Sequence, residues 1–411
     1  MHFFKEHLIL NAVKYFFLFS RIAVVISRPL LLFYVVMLDD AEDEALELTL
    51  LITVAVSLLM LANVDAHREF YKAYFNVERR LLRVAKEYIR LVNFFAGLFI
   101  GLYIFYFLSS YLVFESLFIA LLFSYNVIIE KIFDEFQRFT MFEKKYLKWS
   151  ILALAFWLLP VLGTIIIYEV SGLDIVKIFI LSSLIVYSGV LLFMLKEIRF
   201  IRLSSRFNLM SLLHNIKTSF LVYISRFSYL LANFAVGHVL VITRYGVLLI
   251  EPLFLPVYVL FQQCGGVILS VVDMLYMAFR REKFVKSSVA AFDSLKDKKL
   301  ISILICGVIV ASLACLIMAY SKFSSFTAYL GVITVVISMC SAYSISSILF
   351  ESVFWHRSIS QRLVIEIIYF FLTGIVLLLA IFENLSLIMA LVGFLACFLV
   401  RILSQIRLLK F

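Results

Sequence analysis

The chain has 411 residues, of which 64% are hydrophobic and only 16% charged, with a mean hydropathy of +1.07. Length alone would allow two or three soluble domains, but this composition excludes them and marks a polytopic membrane protein. The net charge of +10 would suggest nucleic acid in a soluble protein; here it belongs to the loops, and no nucleic-acid partner is implied.

The apolar runs are long and the chain has only four prolines, so the spanning elements are helices and the fold class is all-α; a barrel would show short alternating strands instead. About twelve crossings are predicted, near 12–38, 47–64, 91–109, 112–132, 149–168, 176–195, 218–243, 254–278, 300–320, 328–350, 364–382 and 385–402. They divide into two pseudo-symmetric six-helix lobes, residues 1–200 and 201–411.

The first crossing, NAVKYFFLFSRIAVVISRPLLLFYVVML, carries Arg21 and then Arg28 followed by Pro29. An arginine at a helix centre costs roughly 2.5–3.5 kcal/mol on the lenient insertion scale, so these two should not face lipid. Seven residues, about two turns, separate them, which puts both on one face. That face is expected to line a cavity. Arg21 also interrupts what would otherwise be the apolar core of a signal peptide, so the helix is expected to be retained.

Segments after the even-numbered crossings are basic. The first carries Arg68, Lys72, Arg79, Arg80, Arg83, Lys86 and Arg90. Segments after the odd-numbered crossings are short and nearly free of Lys and Arg, with Arg244 and Lys322 the main exceptions, and the first is the acidic run DDAEDEALE. The positive-inside rule then places the basic loops and both termini in the cytoplasm. Trp149 and Trp355, each beside a basic loop, fit the aromatic belt at that interface.

A weak internal repeat relates the halves. Ser20-Arg21 matches Ser225-Arg226, and the same offset sets Arg28 opposite Asn233. SLLMLANVDAHRE matches SVVDMLYMAFRRE, and Phe133-Asp134 with Lys145 matches Phe350-Glu351 with Arg362. The offset rises from 205 through 213 to 217. Units with an even number of crossings share one orientation, so an axis along the membrane normal relates them, as in transporters.

These features resemble the polysaccharide flippases of the multidrug/oligosaccharidyl-lipid/polysaccharide (MOP) exporter superfamily, especially Wzx-like O-antigen translocases. The resemblance lies in Arg28-Pro29 of the first helix, the basic first cytoplasmic loop, EPLFLPVYVLFQQCGG at Glu251–Gly266 and SILFESVFWHRSISQR at Ser347–Arg362. It implies a bacterial inner-membrane protein, not an enzyme, that moves an undecaprenyl-diphosphate-linked oligosaccharide to the periplasmic leaflet by alternating access. Membrane lipids, a polysaccharide polymerase and a chain-length regulator are the partners it implies in polysaccharide and lipopolysaccharide biosynthesis.

Arg21, Arg28 and Arg226 are the candidate substrate-binding cations, since a guanidinium presents five donors in a fork that matches phosphate oxygens. Snorkelling to an interface, or pairing with a buried acid, is the competing use. Asn233, His238, Gln262 and Gln263 add neutral hydrogen-bonding groups, for sugar hydroxyls or for inter-helix bonds. Tyr223, Tyr229 and Tyr258 are candidates to stack on sugar rings. Asp273, and Asp65 nearer to water, either bind a coupling ion or neutralise an arginine. Glu130, Glu251 and Glu366 read as interfacial. Pro29, Pro252 and Pro256 are candidate hinges, since proline removes an intrahelical hydrogen bond.

The five cysteines sit in apolar runs without metal-type spacing and read as free, packed thiols; no histidine pattern supports a metal. No Walker motif or cofactor signature appears, which leaves an H+ or Na+ gradient as the energy source. A drug exporter on the same scaffold is the close alternative, disfavoured by intramembrane arginines. A membrane-embedded polymerase or glycosyltransferase is the second, disfavoured by short outer loops.

Overall fold

The computed structural model describes residues 2–38, 42–61, 116–142, 146–198, 240–272, 276, 283–284, 287, 290–322, 326–383 and 385–410. These residues are helical with short connections and contain no strand. The helices are α1 (His2–Met37), α2 (Glu42–Leu61), α3 (Leu117–Phe142), α4 (Tyr146–Ser171), α5 (Ile175–Ile198) and α6 (Leu240–Ile250). After a 3-10 turn at Pro252–Phe254 come α7 (Leu255–Val272), α8 (Ala290–Leu295), α9 (Lys298–Lys322), α10 (Phe326–His356), α11 (Ile359–Phe382) and α12 (Leu387–Lys410). Seven described helices are long and apolar enough to span a bilayer. The predicted crossings near 91–109 and most of 218–243 lie outside the described residues.

Several helices run past the expected apolar runs. The starts of α1, α2 and α11 and the ends of α3, α10 and α12 reach into the charged segments. The acidic run supplies Glu42, Asp43 and Glu44 to the first turn of α2, where negative charge suits the helix dipole, and α12 ends on Arg407 and Lys410 for the converse reason. The link from α10 to α11 is only Arg357-Ser358. Ser358 caps α11 reciprocally with Gln361: its hydroxyl accepts from the Gln361 N–H at 3.4 Å and its own N–H donates to Gln361 Oε1 at 3.3 Å.

The chain forms two compact units, Met1–Tyr34 with Leu61–Arg226, and Val35–Met60 with Phe227–Phe411. In the first, α3, α4 and α5 pack around Ile129, Phe133, Leu152, Phe156, Tyr187 and Val190. Phe156 is sandwiched between Phe133 and Tyr187, with ring centroids 3.9 Å apart on both sides. Trp149 is buried against the Phe17 ring. The contacts Phe17–Trp149, Arg28–Trp157 and Tyr34–Tyr168 ascend together, so α1 and α4 run parallel. That is the orientation expected of a first and a fifth crossing. Gly172, at φ 61°, turns the chain after α4, and Asp174 caps α5 by accepting from the N–H groups of Val176 and Lys177 at 2.9 and 3.2 Å.

In the second unit α10 packs against α7, α9 and α12, and α11 against α12. Small residues set the spacing: a Cβ at Gly265 would lie 2.6 Å from Cys340 Sγ, and one at Gly393 2.9 Å from Val376. Cys315, Cys340 and Cys397 are buried as expected, whereas Cys306 is exposed. The outward faces are apolar, with Val170, Ile185, Phe371 and Leu403 all largely exposed, as suits lipid contact.

Candidate functional site

Arg28 belongs to α1, immediately before Pro29, the proline inside that helix. Its Nη2 meets Glu130 Oε1 of α3 at 2.5 Å, and its guanidinium carbon sits 4.8 Å from the Trp157 ring centroid of α4. Tyr187 of α5 interacts with both charges. Four helices thus converge on one intramembrane cation. The Arg28 side chain keeps 22% of its surface accessible, against 7% for Glu130. Glu130 is therefore buried within the protein. Its apolar neighbours on α3 concealed this in the sequence, because only the fold brings Arg28 to it.

The buried Trp157 indole N–H, beside Arg28, has no hydrogen-bond acceptor among the described residues. A partly accessible arginine side chain with an orphaned indole donor beside it is an arrangement suited to an anion with several oxygens.

A second cation, unsuspected as a buried group, is Arg401 of α12. Its Nε donates to both Glu366 oxygens of α11 at 3.2 and 3.1 Å, and Nη2 donates to Oε1 at 2.9 Å. Nη1 donates to Ser346 of α10, whose hydroxyl donates in turn to Gln405 Oε1 at 3.0 Å. Both charged side chains are closed off, at 0% and 2% exposure. Glu366, like Glu130, is buried within the protein. The available signal was spacing: Arg401, Gln405 and Leu409 recur at i+4 and share the buried face of α12.

Arg244 is not in an outer loop but buried in α6, donating from Nε to Gln262 of α7. The Gln262 amide donates to the Leu240 carbonyl at 2.9 Å and to Thr243 Oγ1 at 3.1 Å, so this glutamine takes the inter-helix use. Tyr258 donates to Thr243 at 2.6 Å and is fully buried, which removes it as a sugar platform in this conformation.

Of the remaining candidates, Arg226, Asn233, Asp65 and Asp273 lie outside the described residues, as do Tyr223, Tyr229 and His238. Arg21 lies in α1, with its side chain outside the description. Pro252 opens the 3-10 turn and Pro256 is the second residue of α7, first-turn positions where a missing N–H costs little. Among the described residues no cluster of His, Cys, Asp and Glu could hold a metal.

No family model matches the sequence. No curated protein matches it either. Solved structures do. One is an outward-facing multidrug resistance MATE family transporter of the MOP superfamily, at 10% identity over 97% of each chain with a TM-score of 0.54. Another is a MATE protein in complex with Br-NRF, at 13% identity over 97% of each chain with a TM-score of 0.49. The chain has an all-helical, multi-span membrane fold of the MATE type.

Proposed function

We propose that the chain is an exporter of the MOP type, not an enzyme, that carries an undecaprenyl-diphosphate-linked oligosaccharide across the bacterial inner membrane. The basic loops and both termini face the cytoplasm in this reading. The observation that carries it is Arg28, an arginine inside an apolar helix, held by Glu130 and Trp157 with part of its side-chain surface left accessible. A diphosphate is the lipid headgroup whose oxygens fit such a fork. Arg21, Arg226 and Asn233 are assigned to the same ligand, Asp273 and Asp65 to a coupling H+ or Na+, and Pro29, Pro252 and Pro256 to the motion between access states.

Reconstituted in proteoliposomes, the protein should move a fluorescent undecaprenyl-diphosphate saccharide between leaflets. Arg28→Ala should slow it about tenfold or more, as loss of a charge-assisted bond worth roughly 1.5–3 kcal/mol implies, and Arg28→Lys should slow it less. Unchanged rates in both variants would remove the diphosphate role. A second reading, a drug exporter, draws on the multidrug description of one structural relative. Movement of an organic cation that survives Arg28→Ala, with no movement of the lipid, would favour it.

A further inference from the structure

The connection between α7 and α9 is basic: residues 280–299 hold seven Lys and Arg against three Asp and Glu. Its described part is folded onto the ends of the spanning helices. Phe284 and Ala291 are buried in one cluster with Leu300 of α9, Val353 of α10 and Leu409 of α12. The Phe284 carbonyl meets His356 Nε2 at 2.8 Å, and Tyr276 donates to Asp297 Oδ2 at 3.1 Å. With the apolar side chains held inward, Lys283, Lys296, Lys298 and Lys299 are left exposed, and among the described residues no ion pair engages them.

Lys298 and Lys299 open α9. A helix dipole favours anions at that end, so α9 itself gains nothing from them. Lys298 shares its helix face with Ile301, Ile305 and Ile309, which are 43%, 55% and 53% exposed. From Lys298 to Ile309 the helix rises about 16 Å, close to the roughly 15 Å half-thickness of a bilayer's hydrocarbon core. A cationic end on an apolar strip one leaflet long has the dimensions and the charge of a phospholipid's complement. We propose that this face of α9 is a binding site for an anionic phospholipid of the phosphatidylglycerol class, with the headgroup on Lys296, Lys298 and Lys299 and an acyl chain along Ile301, Ile305 and Ile309.

Asp297, the nearest acid in the chain, accepts from the Tyr276 hydroxyl and, at 2.9 Å, from the Lys299 N–H, so its carboxylate is spent on holding the cap and the start of α9. Each lysine near an anionic lipid surface favours it by about fivefold, or roughly 1 kcal/mol. A zwitterionic headgroup brings its own cation and gains much less. Orientation by the positive-inside rule needs only the charge of the segment. It requires neither an apolar strip below the lysines nor a folded cap that fixes them at its end. The site is independent of what Arg28 carries, so either reading can fail alone.

The test places the photoreactive residue p-benzoylphenylalanine at Ile305 of the full-length protein, in nanodiscs of equal phosphatidylglycerol and phosphatidylcholine. On irradiation the benzophenone captures a neighbouring acyl chain, and mass spectrometry counts the adducts of each lipid. The same residue at Ile185 of α5, 72% exposed, is the control. Phosphatidylglycerol adducts should exceed phosphatidylcholine adducts by about fivefold or more at Ile305 and be nearly equal to them at Ile185. Lys296→Gln with Lys298→Gln and Lys299→Gln should bring the Ile305 ratio down to that at Ile185, and added salt should lower it in the parent. Equal ratios at the two positions, or an excess at Ile305 that survives the triple substitution, overturn the proposal and leave the lysines as an orientation signal only. If a photoreactive or triple variant does not fold, native mass spectrometry counts the lipids retained by the parent and by Lys298→Gln from the same nanodiscs. A preference for phosphatidylglycerol that falls several-fold in Lys298→Gln supports the site, and an unchanged preference overturns it.

Discussion

Replacing Glu366 with Leu strands the Arg401 guanidinium at 0% side-chain exposure, after removing three of the hydrogen bonds that Arg401 makes. Breaking one side of a buried pair costs about 3–5 kcal/mol, and Arg401→Met should cost a similar amount by leaving Glu366 charged and dry. The double variant, Glu366→Leu with Arg401→Met, removes both charges. Ser346 keeps its bond to Gln405, so no new orphan appears there. It should therefore recover most of the loss and fall within about 1 kcal/mol of the parent. Unfolding by denaturant in detergent micelles, read by tryptophan fluorescence, measures all four proteins. The reasoning is refuted if either single variant is as stable as the parent, or if the double variant is no better than the weaker single.

Three further outcomes are expected. Gly265→Ala should destabilise by about 1–3 kcal/mol by pushing a methyl into Cys340 Sγ, and adding Cys340→Ala should restore part of it; thermal unfolding decides. Phe156→Ala empties the middle of the aromatic sandwich and should cost about 3–5 kcal/mol by the same assay. Burial alone would raise the Asp174 carboxyl, but hydrogen bonds from the Lys177 side chain and backbone and from the Val176 N–H outweigh it and hold the group below its ordinary value. The start of α5 is therefore firmest above the ordinary carboxylate range and loosens as pH falls through the lowered value. Hydrogen exchange at residues 175–178 should show this, and Asp174→Ala should cost about 0.5–2 kcal/mol at neutral pH as a lost cap.

Composition determined the membrane class and the helical fold, because backbone groups in lipid must be satisfied within the segment and the apolar runs have helix-spanning lengths. Run lengths also placed most described helices within a few residues. Ends were missed where amphipathic turns continue past the lipid, as in α3 and α12, whose polar residues read as loop. Arg28 was legible as a misfit: one charge in an apolar helix is conspicuous at any distance from its partner.

The partners were not legible, because each lies far away in the chain on another helix. Glu130 and Glu366 look alike in sequence, acids near the ends of apolar runs. Only helix packing gives Glu366 a sealed arginine and Glu130 an arginine whose side chain stays partly accessible. Arg244 and Gln262 likewise belong to one network only because α6 and α7 lie side by side. The sequence by itself thus determined which elements form and that charge would have to be buried. Tertiary structure decided which charges cancel and which stay accessible, since desolvation and ion pairing depend on neighbours that local sequence does not specify.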